Sequence, residues 1–369
     1  MAEDSREELF YRLVLTFVPG IGVKYGKSLL QYYGSAIATF KAPLKDIKNI
    51  DGIGELRAKG FKDPDIYKLA EKELEYIDKH NINVLLYGAP GYPTRLTNCS
   101  DAPLLLYYNG NAALDAKKVI AIVGTRKYTE YGLKLTEELV EGLQMPDILI
   151  VSGLALGIDA IAHKKAVKLS IPTVGVLGHG LDRIYPSTNK TLSNEMLLNG
   201  GLLTEFHAGT TPERTNFPMR NRVVAGMSDV TVVVESDIAG GALITAMMAN
   251  GYNREVAAYP GKTTDAKSSG CNELIKKQHA QMITSPTDLL ELMNWSDGTR
   301  KKPMQRQLFI DLEPGQQKVV DLLQGKESVH ADEIYHTTGL ANSELAVALL
   351  ELEMQGIIKT LPGKQYRLI

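Results

Sequence analysis

Short apolar runs that each stop on a glycine-bearing turn constrain this chain more than any other feature. Val119-Ile120-Ala121-Ile122-Val123 stops at Gly124, Ile148-Leu149-Ile150-Val151 at Ser152-Gly153, and Thr173-Val174-Gly175-Val176-Leu177 at Gly178. Gly201-Leu202-Leu203-Thr204, Thr231-Val232-Val233-Val234 and Glu255-Val256-Ala257-Ala258-Tyr259 continue the series, the last ended by Pro260-Gly261. Such runs are too short for helices and too uniformly apolar for strands with one wet face, so they read as strands buried on both sides. Helical stretches separate them, which predicts βαβ units and a doubly wound, mostly parallel sheet from about 81 to 294. Two earlier runs, Val84 to Tyr87 and Leu104 to Tyr108, are expected to extend it, and Pro260-Gly261 with the helix at Gly270 to close it. In this architecture backbone amides collect along the carboxyl edge of the sheet, where open α/β sheets bind ligands.

The flanks read differently. Residues 1 to about 80 are helical in pattern and carry two related turns, Val18-Pro19-Gly20-Ile21-Gly22 and Ile50-Asp51-Gly52-Ile53-Gly54. Residues 295–313 are polar and basic with little periodicity and read as a linker. Residues 314–369 show three amphipathic helical patterns and then two β-like pieces around Pro362-Gly363, which is how the wing of a winged helix would look. The 369 residues are enough for two or three domains whose cores need no disulfide or metal.

Several function classes drop out. Cys99 and Cys271 have no CxxC partner and no histidine at ligand spacing, so neither a disulfide framework nor a zinc site is expected. The start, MAEDSREELF, lacks the basic-then-apolar order of a signal peptide, and no apolar stretch is long enough to span a bilayer, which makes the cytoplasm the expected location. Gly26-Lys27-Ser28 resembles the end of a P-loop, but Ile21 stands where that motif needs its first glycine, and no GxGxxG follows the first central strand. With 41 Lys+Arg against 43 Asp+Glu, the net charge of −2 offers no broad cationic surface.

What the central region carries instead is a set of anion-friendly turns. Gly124-Thr125-Arg126 places a flexible turn, a hydroxyl and a guanidinium at a strand end before a helix, where free amides and the helix dipole favour phosphate. The turn at 152–159 (SGLALGID) is a second, and Gly240-Gly241 opens another helix in the same way. Asp159 either fixes its turn or meets ligand, and His163, one helical turn on, is either packed or supports the site. The segment 211–222 (TPERTNFPMRNR) brings Arg214, Arg220 and Arg222 together with Phe217. Arg220 and Arg222 are two apart and cannot share a helix face, so one is free for ligand while the other pairs with a carboxylate. Phe217 is either core or a platform for base stacking, and Asn221 reads as a turn-holding group. Cys271 reads as a buried structural thiol, and no Ser-His-Asp or paired-carboxylate arrangement stands out, so no catalytic residue, cofactor or metal is expected.

At these residues the chain resembles the DNA-processing protein A (DprA, or Smf) family. The resemblance is carried by Gly124-Thr125-Arg126 with Tyr131-Gly132, by 152–163 (SGLALGIDAIAH), 178–186 (GHGLDRIYP), 216–222 (NFPMRNR), 240–246 (GGALITA), and PG with GCNELI in 260–275. It implies an extended Rossmann-like core between an N-terminal helical domain of the SAM or helix-hairpin-helix kind and a C-terminal winged helix. It also implies single-stranded DNA binding without an established catalytic activity, loading of a RecA-type recombinase during natural transformation and recombination, protection of incoming DNA, and work as a homodimer. Position by position, it points to Arg126 as a phosphate-binding arginine in the Gly124-Thr125-Arg126 turn. Lys190 and Arg214 become rim cations, Phe217 a base contact, and Arg220 with Asn221 pocket wall. Amides around Gly153, Gly157 and Gly241 add anion contacts. The chain has Gln278-His279-Ala280 where the family commonly has Gly-Ala. The paired N-terminal turns touch either a DNA backbone or only other protein, and the glutamate-rich stretch Ser343 to Gln355 suits a protein contact better than a recognition helix.

The alternative is a nucleotide enzyme of the phosphoribohydrolase type. Those enzymes carry PGGxGTxxE, whereas the matching place here reads AGGALITAMMA (239–249), without the glutamate. Residues 119–294 hold 16 Lys+Arg against 18 Asp+Glu, so DNA binding would have to use a compact pocket of placed arginines and amides. Dimerisation would then make binding tight.

Overall fold

The structure, a computed structural model, describes residues 3–295, 312–326, 328–361 and 364–368. The chain forms two compact units, Met1–Ser296 and Asp297–Ile369.

The larger unit is built on a nine-stranded sheet. Its strands are β1 (Asn83–Leu86), β2 (Leu105–Gly110), β3 (Lys118–Val123), β4 (Ile148–Ser152), β5 (Thr173–Val176), β6 (Gly200–Thr204), β7 (Val230–Val233), β8 (Glu255–Ala258) and β9 (Gln281–Met282). Their order is β1-β2-β6-β5-β4-β3-β7-β8-β9. From β6 to β9 every pairing is parallel, while β1 and β2 form an antiparallel hairpin along β6. The two early runs do extend the sheet. The sheet does not close at Pro260-Gly261, because the chain returns after the helix Ser269–Lys276 to add β9 at the edge.

The apolar runs are buried on both sides, as their composition requires. Val119, Ala121 and Val123 of β3 face one core, together with the helices Asn216–Gly226 and Gly241–Gly251. Ile120 and Ile122 face the other, with Leu135 and Leu139 of the helix Glu130–Glu141 and Ile158 and Ile161 of the helix Ile158–Lys168. Alternation of successive side chains across the pleat fills two layers from one run, and each buried Ile or Val contributes roughly 1.5–3 kcal/mol. Local signals start the helices. Thr129 accepts from the Gly132 amide at 3.2 Å to cap one, and Ser285 with Asp288 forms a capping box on another.

Residues 3–80 fold as helices whose core is continuous with Leu104, Leu105 and Tyr107 of the hairpin side of the sheet. The two glycine turns lie side by side, since the Arg57 guanidinium donates to the carbonyls of both Gly20 and Gly52. The smaller unit contains the helices Pro314–Leu323, Ala331–Thr338 and Asn342–Met354, and a three-stranded antiparallel sheet of Val329–His330, Ile358–Leu361 and Gln365–Leu368. The turn expected at Pro362-Gly363, and all but the ends of the linker expected at 295–313, lie outside the described residues.

Candidate nucleic-acid interface

The chain runs β3, β4, β5, β6 in one direction across the sheet and then crosses to β7 on the other side of β3. The turns after β3 and β7 therefore diverge, leaving a crevice at the carboxyl ends of the strands. A cleft of about 570 Å³ opens there. Its lining brings together Gly124, Thr125, Arg126, Gly153, Arg214, Phe217, Arg220, Asn221 and Gly241, nine residues singled out from the sequence. Gly157 and Lys190 do not line it. Lys190 is exposed at the start of the helix Lys190–Met196, next to Asn189, whose side-chain amide donates to the carbonyl of the cleft residue Ala155 at 3.4 Å. Gly157 acts from below. It sits at φ 82°, and a Cβ there would fall 2.1 Å from the Thr125 carbonyl, so only glycine lets the two turns pack together.

The phosphate-type turn is held rigidly. The Thr125 amide donates to the Glu235 carbonyl at 2.7 Å. The buried Glu235 carboxylate accepts from the Thr129 amide at 2.9 Å and from its hydroxyl at 2.6 Å. Arg126 thus projects from a turn fixed at both ends, exposed, with its guanidinium 5.4 Å from the centre of the Phe217 ring. Lys127 and Arg214 are also exposed on the lining, and among the described residues none of these three cations has a carboxylate partner. Lys267, which the sequence reading missed, lines the cleft too, but it pairs with Asp237 at 3.0 Å.

The remaining two arginines of the segment 211–222 are structural in different ways. Arg220 is 5% exposed and donates to the carbonyls of Gly153 and, at 2.6 Å, Val176, and from Nε to Asn221 Oδ1 at 2.8 Å. It staples its helix to the turn after β4 and to the end of β5, and burial pushes its pKa down to about 10 against the pull of Asp159. Arg222 is buried against Glu205 and the Asp101 carbonyl, so it is the arginine that pairs with a carboxylate. Asn221 lines the cleft on the same helix as Arg220, and its one side-chain hydrogen bond among those described is the one it accepts from Arg220. Asp159 lines the cleft and also fixes its turn. Its Oδ2 accepts from the Gly153 and Ala155 amides at 3.1 and 3.4 Å, while burial raises its pKa and Arg220 lowers it. His163 is packed: its Nδ1 meets Thr173 Oγ1 at 2.7 Å and burial drives its pKa to about 3. Cys271 is buried and its thiol is pushed up to about 12, in keeping with a structural role.

Phe217 is half-buried, and its ring lies 6.1 Å from that of the exposed Tyr185 across a narrow adjoining slot that Leu156 and Pro186 also line. Phe217 therefore lines both the cleft and the slot, with the guanidiniums of Arg126 and Arg220 beside its ring. No group of three or more His, Cys, Asp or Glu side chains is arranged to hold a metal among the described residues.

Comparison with known proteins gives the same region a context. The family model described as DNA recombination-mediator protein A matches residues 83–294, and the DprA winged helix domain matches 305–364. Protein Smf of Synechocystis sp. is 31% identical over 411 residues, covering 98% of this chain and 99% of that protein. The X-ray structure of DNA processing protein A from Streptococcus pneumoniae superposes with a TM-score of 0.62 at 31% identity, covering 76% of this chain and 95% of that one. The Helicobacter pylori protein of the same name, whose structure concerns a single-stranded DNA binding mode, gives 0.53 at 30% identity over 58% of this chain and 97% of that one.

Proposed function

The chain belongs to the DprA/Smf family of DNA recombination-mediator proteins, and on that premise we propose that it binds single-stranded DNA in the crevice between the turns after β3 and β7. The observation that carries the reading is the pairing of three cations that have no carboxylate partner among the described residues, Arg126, Lys127 and Arg214, with the half-buried ring of Phe217 in one cleft. Phosphates meet the cations, the turn at Gly124 and the amides around Gly241, while unpaired bases stack on Phe217 and reach toward Tyr185; the Gly153 and Ala155 amides, expected to add anion contacts, are instead taken up by Asp159. Duplex DNA hides its base faces, so it gains only the phosphate contacts. The relative from Helicobacter pylori, described by its single-strand binding mode, supports this choice of ligand.

In this reading the protein is a mediator and not an enzyme. It covers incoming strands in natural transformation and recombination and loads a RecA-type recombinase onto them. Of the two carboxylates lining the cleft, Asp159 accepts from two amides and Asp237 Oδ2 pairs with Lys267, and neither stands where the phosphoribohydrolase glutamate of PGGxGTxxE would. The protein acts as a homodimer. Exposed Ile238 and Met247 flank Leu243 and Leu274 around a groove of about 260 Å³ rimmed by the Glu273–Lys277 pair and His279, an apolar floor with a polar rim suited to self-association.

The test is a titration of the full chain with single-stranded and duplex oligonucleotides at two salt concentrations. Preference for the single strand, with binding that weakens as salt rises, is expected. Equal affinity for both forms, or release of base from nucleoside monophosphates, would refute the proposal.

A further inference from the structure

Glu73, on the helix Pro64–His80, is 5% exposed where the N-terminal helices meet the sheet. Both of its carboxylate oxygens accept from the Ala208 amide, at 3.0 and 3.1 Å. Burial pushes its carboxyl upward, against the pull of that amide, of His207 and of the Tyr107 hydroxyl, while Asp182 adds to the rise. A helix that only had to pack here would carry an apolar residue at this position, as it does at Ala70 and Ile77.

The segment it grips is held from two further sides. The His207 ring packs at a 41° tilt against Phe17, the last residue of the helix Glu3–Phe17, with centroids 4.8 Å apart. From the turn after β5, Asp182 Oδ1 accepts from the Gly209 amide at 3.0 Å and the Gly180 amide donates to the Thr210 carbonyl at 3.2 Å. A Cβ on Gly180 would sit 2.5 Å from the His207 carbonyl, so glycine is what lets that turn close on the segment. Leu181, in the same turn, packs into the core of the N-terminal helices. Directly after this anchored stretch, residues 211–215 run without regular structure, carry Arg214 into the cleft, and lead into Asn216 and Phe217.

We propose that Glu73 is a positioning residue for the cleft. Through Glu73 and Phe17, the N-terminal helices set where Arg214 and Phe217 stand, so this domain is a brace of the DNA-binding edge and not an independent module. The inference rests on the single-strand reading above, and its test separates the two.

Affinity of the full-length protein for a short oligothymidylate is measured for Glu73→Ala, Glu73→Gln, Arg214→Ala, Arg126→Ala and the double variant Glu73→Ala with Arg214→Ala. Hydrogen exchange is followed over residues 207–216. Glu73→Ala should weaken binding by the same factor as Arg214→Ala, the double variant should be no weaker than either, and exchange at 207–216 should speed up. Glu73→Gln, whose amide oxygen still accepts from Ala208, should restore affinity. Wild-type affinity in folded Glu73→Ala overturns the inference, as do losses that multiply in the double variant, because a general loss of stability would leave the Arg214 contribution intact. If Glu73→Ala does not fold, Asp182→Ala releases the segment from its other side and must show the same non-additivity with Arg214→Ala. If Arg126→Ala binds as the wild type does, the DNA-binding assignment falls, and this inference with it.

Discussion

Replacing Arg126 by alanine tests the geometry of the cleft quantitatively. Among the described residues the lining offers three cations without a carboxylate partner, Arg126, Lys127 and Arg214, because Lys267 is paired with Asp237 and Arg220 is tied to carbonyls. Each phosphate neutralised on a single strand contributes about −0.7 to the slope of log affinity against log salt, so three contacts give about −2.1 per protomer and two give about −1.4. Between 50 and 200 mM salt the wild type should lose about 18-fold in affinity, and Arg126→Ala only about 7-fold. The measurement is fluorescence anisotropy on an oligothymidylate of about six nucleotides, short enough to occupy one protomer, at four or more salt concentrations. A wild-type slope steeper than about −4 would mean a broad cationic track exists that the cleft does not account for. An unchanged slope in the variant would remove Arg126 from the phosphate contacts.

Four further outcomes follow from the same geometry. Phe217→Leu should cost about 1–3 kcal/mol of single-strand affinity while leaving the salt slope unchanged, since stacking releases no counterion; a flattened slope would refute the stacking role. Gly157→Ala must relieve both its left-handed backbone and the 2.1 Å approach to Thr125, so it should lose about 1–3 kcal/mol of stability and weaken binding together; an unchanged melting temperature would show that the turns can separate freely. Arg222→Met strands the Glu205 carboxylate in the core and should destabilise by about 3–5 kcal/mol in chemical denaturation, with a neutral result excluding the pair as a structural staple. Burial holds the Glu205 pKa at about 7, up from 4.5, so the folded state keeps that proton longer than the unfolded chain. Its stabilising effect is complete below 4.5 and fades as pH rises through 7. Glu205→Gln should therefore flatten the stability profile across that window, and an identical profile would contradict the assignment.

The central sheet was readable because parallel strands buried on both faces have no choice but to be apolar. The two-residue β9 escaped notice for the opposite reason. Gln281 and Met282 are exposed at an edge, so nothing in their composition marks a strand. At the cleft, Arg126, Arg214 and Phe217 stood out as residue types placed at turns. Which of Arg220 and Arg222 pairs with a carboxylate, and that the other is tied to carbonyls and not free for ligand, did not, because it depends on which groups each helical phase meets, and those lie just after β4, in β5, at Glu205 and at Asp101. The sequence placed Asp159 between two roles; only the distances to the Gly153 and Ala155 amides make it a turn anchor. Lys267 and Glu73 were invisible for a simpler reason. Glu73 acts on Ala208, 135 residues away, and no local pattern encodes such a contact.

The handling of the arginines has a kinetic side. A strand held at three exposed cations and one or two rings has few interactions to break, and each is open to competing ions. Had Arg220 and Arg222 also faced the ligand, every protomer would let go more slowly, since affinity differences between related complexes fall mostly on the off-rate. On the proposed single-strand reading, keeping those two guanidiniums inside the protein would make the grip on a strand brief at any one site. A hold of that kind would be one that a competitor for the strand could displace without first breaking a buried contact.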